Sequence, residues 1–243
     1  MNRFGNSSIS QAQATTRSPN SVAAEQTRFL VRVYNWMGAG LALTALVAWY
    51  VSKSPAILNV VIGNQIVFFG IIIAELGLVF YLASRVMQMS VQRATGAFLG
   101  YATLNGLVFS TIFIAYSQST ITSAFLVTSV MFGSMSIYGA TTKKDLTSWG
   151  SFLFMGLVGI IIASIVNIFL QSSAMYWIVT YAGVLIFTGL AAYDTQSILR
   201  MNIIGNEGTD EDTKEAISGA LRLYLDFINL FLMLLRIMGG SRN

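Results

Sequence analysis

Three carboxylates lie inside long apolar stretches of the sequence, where an ionised side chain is costly. Glu75, Asp194 and Asp226 each stand among aliphatic, aromatic and small residues, and Arg85 and Arg222 lie near the ends of these stretches. A charge at the centre of a lipid bilayer costs at least about 2.5–3.5 kcal/mol, so intramembrane acids usually serve ion or proton movement. The residue types therefore favour carboxylate chemistry in an apolar setting.

Asp194 and Asp226 are expected to lie close together. Asp194 stands five residues before the end of one apolar stretch, which places it roughly 8 Å deep at the helical rise. Asp226 stands nine residues into the next stretch, which runs in the opposite direction, at a depth of roughly 14 Å. Consecutive antiparallel helices would bring both acids, with Glu75 at a comparable level, to the same side of the membrane.

Two neighbouring carboxylates in a poorly hydrated site titrate as a unit and can share one proton. Loss of that proton would leave a doubly negative, oxygen-lined site that repels itself or accepts a hard cation such as Ca²⁺. A purely structural role is the alternative. Arg222 could pair with Asp226 four residues later on the same helix, and Asp194 could pair with Arg85.

The composition indicates a protein embedded in lipid. Of the 243 residues, 55% are hydrophobic and only 10% are charged, whereas a soluble domain carries about 25% charged residues. Cys and His are both absent, which excludes disulfides, thiolate or imidazole metal sites and catalytic pairs that contain them. The net charge of +4 comes from scattered basic residues and indicates membrane orientation, not nucleic-acid binding.

Residues 1–27 are rich in Ser, Asn, Gln, Thr and Ala, which predicts a disordered N-terminal tail before a membrane domain of residues 28–243. Apolar runs long enough to cross the bilayer predict seven transmembrane helices and an all-α polytopic fold. The runs lie near 31–51, 58–84, 95–117, 119–141, 147–170, 174–199 and 217–238.

The distribution of basic residues predicts a cytoplasmic N-terminus, because Lys and Arg accumulate on the cytoplasmic side. With the N-terminus inside and seven spans, eleven of the fourteen basic residues fall on that side: Arg3, Arg17, Arg28, Arg32, Arg85, Arg93, Lys143, Lys144, Arg200, Lys214 and Arg222. The last span, which carries Arg222, Asp226 and Arg236, could instead be re-entrant and return the C-terminus to the cytoplasm.

The segment from Met201 to Glu215 is the only acidic stretch of the sequence. It lacks the glycine and the terminal Glu spacing of an EF-hand loop. Thr209 followed by Asp212 matches a helix N-cap with an acidic residue three positions later. We therefore expect a solvated loop that begins the last helix.

The segments GLAAYDTQSIL (189–199) and LYLDFINLFLMLLRIMG (223–239), with GATTKKDLTSWGSF (139–152), resemble the Bax inhibitor-1 (transmembrane Bax inhibitor motif) family in its bacterial branch. The resemblance implies a seven-helix bundle in which six helices surround the seventh, and a pH-sensitive Ca²⁺ leak. It implies that Asp194 and Asp226 sense pH, gate the ion path and contact calcium.

The same resemblance implies further roles. Glu75 matches the family's intramembrane acid of the second helix, and Arg85 is the nearest match to a basic residue that holds the closed state, although its offset from Glu75 differs by one residue. It also implies a bacterial inner-membrane location. Some bacterial members bind and restrain the membrane protease FtsH, for which the tail is a candidate contact; this regulatory role is the alternative function.

An enzyme is not expected. Tyr193–Asp194 resembles the YD motif of intramembrane aspartyl proteases, but Leu223, Tyr224 and Leu225 precede Asp226 where that class has GxG. The Pro-Ala-Leu motif of that class is also missing. A retinal pump is excluded because the last apolar run contains no Lys for a Schiff base.

Overall fold

The computed structural model describes residues 19–239, and this part of the chain is helical throughout, with no strand. Its helices are α1 (Pro19–Lys53), α2 (Pro55–Val61), α3 (Gln65–Arg85), α4 (Val91–Phe109), α5 (Ile112–Ala115), α6 (Gln118–Thr141), α7 (Thr147–Leu170), α8 (Ser173–Met201) and α9 (Asp210–Gly239), with a 3₁₀ turn at Val86–Gln88 between α3 and α4.

Six helical segments between residues 19 and 239 are long and apolar enough to cross a membrane. They are Asn20–Lys53, Gln65–Gln88, Val91–Ala115, Gln118–Thr141, Thr147–Leu170 and Ser173–Met201. These six coincide with the first six predicted spans to within a few residues, except at the starts of the first and second. The seventh predicted span lies inside α9, which is 30 residues long.

Polar side chains fix where several of these helices begin, because a side-chain oxygen can accept the unpaired amide N–H groups of the first turn. Asn64 caps α3, Ser90 caps α4, Ser117 caps α6 and Ser172 caps α8. The cap at Asn64 explains why the predicted second span, 58–84, starts too early: α2 ends at Val61 and a new helix begins at Gln65.

Part of the predicted N-terminal tail falls on the described residues. α1 begins at Pro19, so residues 19–27 are helical. Residues 1–18, which include most of the proposed protease contact, lie outside the described residues.

Helix α9 occupies the middle of the bundle. Most of its residues from Asp212 to Leu235 are buried, and it packs against α1, α3, α4, α6 and α8. Helix α7 packs chiefly against α8, at the edge of the bundle. The predicted ring of six helices is therefore a ring of five, with α7 outside it.

The outward faces of the bundle are apolar. On α3, Ile66 and Phe80 are 84% and 72% exposed, and on α7, Phe169 is 83% exposed. Water would not tolerate so continuous an apolar surface, whereas lipid tails would. The helices thus present their most apolar faces outward and surround the most polar helix, α9.

Gly139 allows α6 and α8 to approach closely. A Cβ atom on Gly139 would collide with the backbone carbonyl oxygen of Ala192, which cannot move aside as a flexible side chain could. Close backbone approach at small residues supplies much of the packing energy between helices in lipid.

We expect Gly139→Ala to lower the stability of the bundle by about 1–3 kcal/mol, the usual cost of overpacking a well-filled interface. The measurement is thermal unfolding of the detergent-purified protein. Gly133→Ala on the same helix is the matched control, because a Cβ there meets no atom within 4 Å. Equal melting temperatures for the two variants would contradict the close contact.

Candidate functional site

The carboxylates of Asp194 on α8 and Asp226 on α9 lie close enough to interact with each other. Asp226 is only 5% exposed and Asp194 is half-buried. The Oδ2 atom of Asp226 has no hydrogen-bond partner among the described residues. The structure thus joins the two acids that the sequence analysis paired, at the contact between the last two long helices.

Arg222 is the basic residue that acts on this pair. It attracts both carboxylates, but its own side chain is exposed, whereas Asp226 is buried. The guanidinium can therefore stay hydrated while it partly offsets the negative charge of the pair. Arg222 precedes Asp226 by four residues, which is the spacing at which a purely structural role of the acids would pair the two side chains.

Close packing of α8 fixes the position of Asp194. A Cβ atom on Gly150 would collide with the Tyr193 ring, and one on Gly219 would lie 3.1 Å from Ile198 Cγ2. The carboxamide of Gln196 accepts from Leu146 N (2.9 Å) and donates to the carbonyl oxygen of Lys144 (2.9 Å). These contacts hold both sides of the YDTQ segment.

Glu75 and Arg85 lie apart from the aspartate pair. Half-buried Glu75 interacts electrostatically with Tyr101 and Tyr224, and Arg85 is exposed and donates to Gln88 Oε1 (3.1 Å). The roles that the resemblance implies for these two residues stay predictions.

Tyr224 forms a second polar contact inside the bundle that sequence reasoning missed. Its hydroxyl lies 2.7 Å from Thr44 Oγ1, which donates to the carbonyl oxygen of Ala102 (2.8 Å). Its ring packs edge-on against Tyr101, with centroids 5.7 Å apart. The place of Tyr224 two residues before Asp226 was the available signal, because it puts a polar group on the same buried helix.

The loop before α9 folds onto the first turns of α1, where it forms an ion-pair cluster of Arg28, Arg32, Glu207 and Asp212. Arg28 donates twice to Glu207 (2.7 and 2.9 Å), and Arg32 bonds Glu207 (3.3 Å) and buried Asp212 (2.9 Å). Most residues of the loop are exposed, as expected, and these contacts also tie it to α1. The expected N-cap is confirmed, since Asp212 N donates to Thr209 Oγ1 (3.2 Å).

Several basic residues gather at the end of the bundle where this cluster lies, which we call the basic end. There Lys214 donates to the carbonyl oxygen of Met87 (3.3 Å), and Arg200 bonds Asp145 and Thr147 (both 2.8 Å). These bonds join the end of α8 to the start of α7, and the start of α9 to the 3₁₀ turn.

No group of three or more Asp, Glu, His or Cys side chains that could hold a metal ion occurs between residues 19 and 239. Two carboxylates therefore provide all the anionic ligands at the aspartate pair. A hard cation there would need its other oxygen ligands from water, hydroxyls or carbonyls.

Comparison with known proteins links these features to one family. The sequence model described as "Inhibitor of apoptosis-promoting Bax1" matches residues 26–243. The "Inner membrane protein YbhL" of Escherichia coli K12 is 48% identical over 232 residues, which cover 93% of this chain and 99% of that protein. Uncharacterized proteins of Borreliella burgdorferi (42% identity; 90% and 94% coverage) and Deinococcus radiodurans (41%; 88% and 91%) are also similar.

We expect Arg32→Gln to lower the unfolding free energy by about 1–3 kcal/mol, because it removes the cation beside the buried Asp212 carboxylate. Thermal unfolding in detergent measures the change. Arg93→Gln is the control, since the Arg93 side chain makes no ion pair within the described part of the chain. A loss as large in the control would contradict a specific contribution from Arg32.

The ion-pair cluster also predicts acid sensitivity. The hydrogen bond from Arg28, helped by Arg32, lowers the pKa of Glu207 from 4.5 to about 2. A depressed pKa in the folded state stabilises it above the unfolded value, and this contribution disappears as the pH falls from about 4.5 to about 2. Melting temperature measured against pH should therefore fall less steeply in this window for Glu207→Gln than for the parent chain.

Proposed function

This chain belongs to the Bax inhibitor-1 family of membrane proteins, and we propose that it is a pH-sensitive calcium leak gated by Asp194 and Asp226. In this proposal α9 is the seventh span, the basic end faces the cytoplasm and the protein lies in a bacterial inner membrane. The description of the Escherichia coli relative as an inner membrane protein and the excess of basic residues at one end support this placement.

The interaction between Asp194 and Asp226 carries the proposal. A carboxylic acid can donate to a carboxylate only while the pair holds a proton. In that state the contact ties α8 to α9. Loss of the proton removes the donor and leaves two negative charges, which at about 4 Å repel by about 4 kcal/mol at the effective dielectric of a protein surface. The same two atoms thus attract in one charge state and repel in the other.

The charged surroundings set the balance between these states. Arg222 attracts both carboxylates and so favours the ionised pair, whereas burial of Asp226 favours the protonated pair. Glu75 interacts with Tyr101 and Tyr224, on the other side of α9. A pH sensor needs opposing influences of this kind, since either alone would fix the charge.

Apolar packing closes the path beyond Asp226, so the protein is in a closed state in this proposal. Leu230 and Leu234 are buried on α9, and Gly183 lies against Met233. Rings of apolar side chains exclude hydrated ions. Repulsion between the aspartates would separate α8 from α9 on the cytoplasmic side of this apolar packing and admit water and Ca²⁺.

We expect Asp226→Asn to alter the pH dependence of Ca²⁺ flux into vesicles that contain the purified protein. An amide at this position cannot ionise, so the variant should stay closed at pH values where the parent chain conducts. Asp194→Asn should show the same loss of pH response. The measurement is the uptake of Ca²⁺ against pH with a trapped fluorescent indicator.

Asp145→Asn is the matched control, because Asp145 is a carboxylate at the basic end and lies outside the pair. It should keep the pH profile of the parent chain. Unchanged flux at every pH in both pair variants would sink the proposal.

A further inference from the structure

Two buried hydroxyls on neighbouring helices share an unusual property with Asp226. Ser136 Oγ on α6 and Thr188 Oγ1 on α8 have no hydrogen-bond partner among the described residues, and neither does Asp226 Oδ2. Ser136 is 3% exposed and Asp226 is 5% exposed. Buried polar atoms in proteins are nearly always paired, so each unpaired atom calls for a partner such as an ordered water or an ion.

Other hydroxyls on the same two helices satisfy themselves. Thr128 donates to the carbonyl oxygen of Ala124 (2.7 Å), and Thr180 donates to that of Tyr176 (2.8 Å), each four residues earlier. Thr195 does the same with Ala191 (2.7 Å). This internal bond is available to any Ser or Thr in a helix. Ser136 and Thr188 do not form it, which leaves their oxygens available to a ligand.

Helix register brings the two hydroxyls to one level. α6 and α8 run in the same direction and meet where Gly139 lies against Ala192. Ser136 and Thr188 precede these contact residues by three and four positions, which is one helical turn in each case. Both therefore lie on the faces that α6 and α8 turn towards each other.

Asp226 lies at the same level. The contacts Gly183–Met233 and Ile198–Gly219 fix the antiparallel register of α8 and α9. Interpolation between them sets Asp226 opposite residues 190–191, about 4 Å along the helix axis from Thr188. On its other side α9 meets α6, where the rings of Phe132 and Phe227 lie 5.4 Å apart.

We propose that Ser136 and Thr188 supply hydroxyl ligands, beside the Asp194–Asp226 pair, to a hard divalent cation at the junction of α6, α8 and α9. The inference rests on the proposed calcium leak and names part of its ion site. Ca²⁺ takes six to eight oxygen ligands, more than two carboxylates provide. Neutral hydroxyls add ligands without adding negative charge. The site therefore holds the ion less tightly than further carboxylates would, and the ion can leave.

The test is Ca²⁺ binding by equilibrium dialysis with the detergent-purified full chain. The variants Ser136→Ala and Thr188→Val remove each hydroxyl, and Thr128→Val and Thr180→Val remove internally bonded hydroxyls from the same helices as controls. We expect the double variant Ser136→Ala/Thr188→Val to bind Ca²⁺ about tenfold more weakly, by analogy with the loss of supporting ligands at other metal sites. Thr188→Ser, which keeps the hydroxyl, should restore the affinity, and thermal unfolding checks that every variant is folded.

The outcomes separate this inference from the proposed function. Weaker binding in the double variant but not in the two controls supports it. Binding that is lost in Asp226→Asn yet unchanged in the double variant overturns the hydroxyl ligands and leaves the calcium leak standing. Binding without flux in vesicles overturns the leak while the ion site stands, and a parent chain that binds no Ca²⁺ overturns this inference.

Discussion

The Asp226 carboxylate is buried on a helix that other helices enclose, and much of the surrounding structure serves to make that burial tolerable. An isolated charge in such a place would cost several kcal/mol. Asp194 across the interface and Arg222 one turn away are the groups that interact with it. Asp194 and Arg222 lie where the helices cannot shift freely. Ala192, two residues before Asp194, and Gly219, three residues before Arg222, take part in close interhelical contacts.

The arrangement of helices follows from the same energetic constraint. Helices α3 and α7 expose apolar side chains and can face lipid. Helix α9 carries charged residues along its first half and Asp226 and Asn229 beyond them, so it is stable in a membrane only when other helices cover it. A polar helix in the centre needs partners for its polar groups, and α1 provides Arg32 for Asp212 and Thr44 for Tyr224.

The sequence predicts the helices and the aspartate pair because both depend on local or sequential features. Apolar length marks the helices, Thr209 marks the start of the last one, and antiparallel neighbours bring Asp194 level with Asp226. The bond between Arg32 and Asp212 joins residues 180 positions apart, so no spacing rule finds it. The unpaired hydroxyl of Ser136 depends on a side-chain rotamer, which composition and periodicity do not specify.

The polar bonds also indicate where the bundle can separate. Those of the first half of α9 other than the aspartate pair connect it to α1, to the 3₁₀ turn and to the loop before α9, through Asp212, Tyr224, Lys214 and Glu215. The polar bonds near the C-terminal end of α8, from Gln196 and Arg200, connect it chiefly to the loop before α7. One long contact (3.4 Å) joins Thr195 of α8 to Tyr34 of α1. Across the α8–α9 interface, Asp194 interacts with Asp226 and Arg222, and further along α9 the Arg236 guanidinium lies over the Tyr176 ring, 5.5 Å from its centroid. Apolar packing, which has no charge-dependent term, makes up most of the remaining contact there, so ionisation of the pair acts directly on this interface.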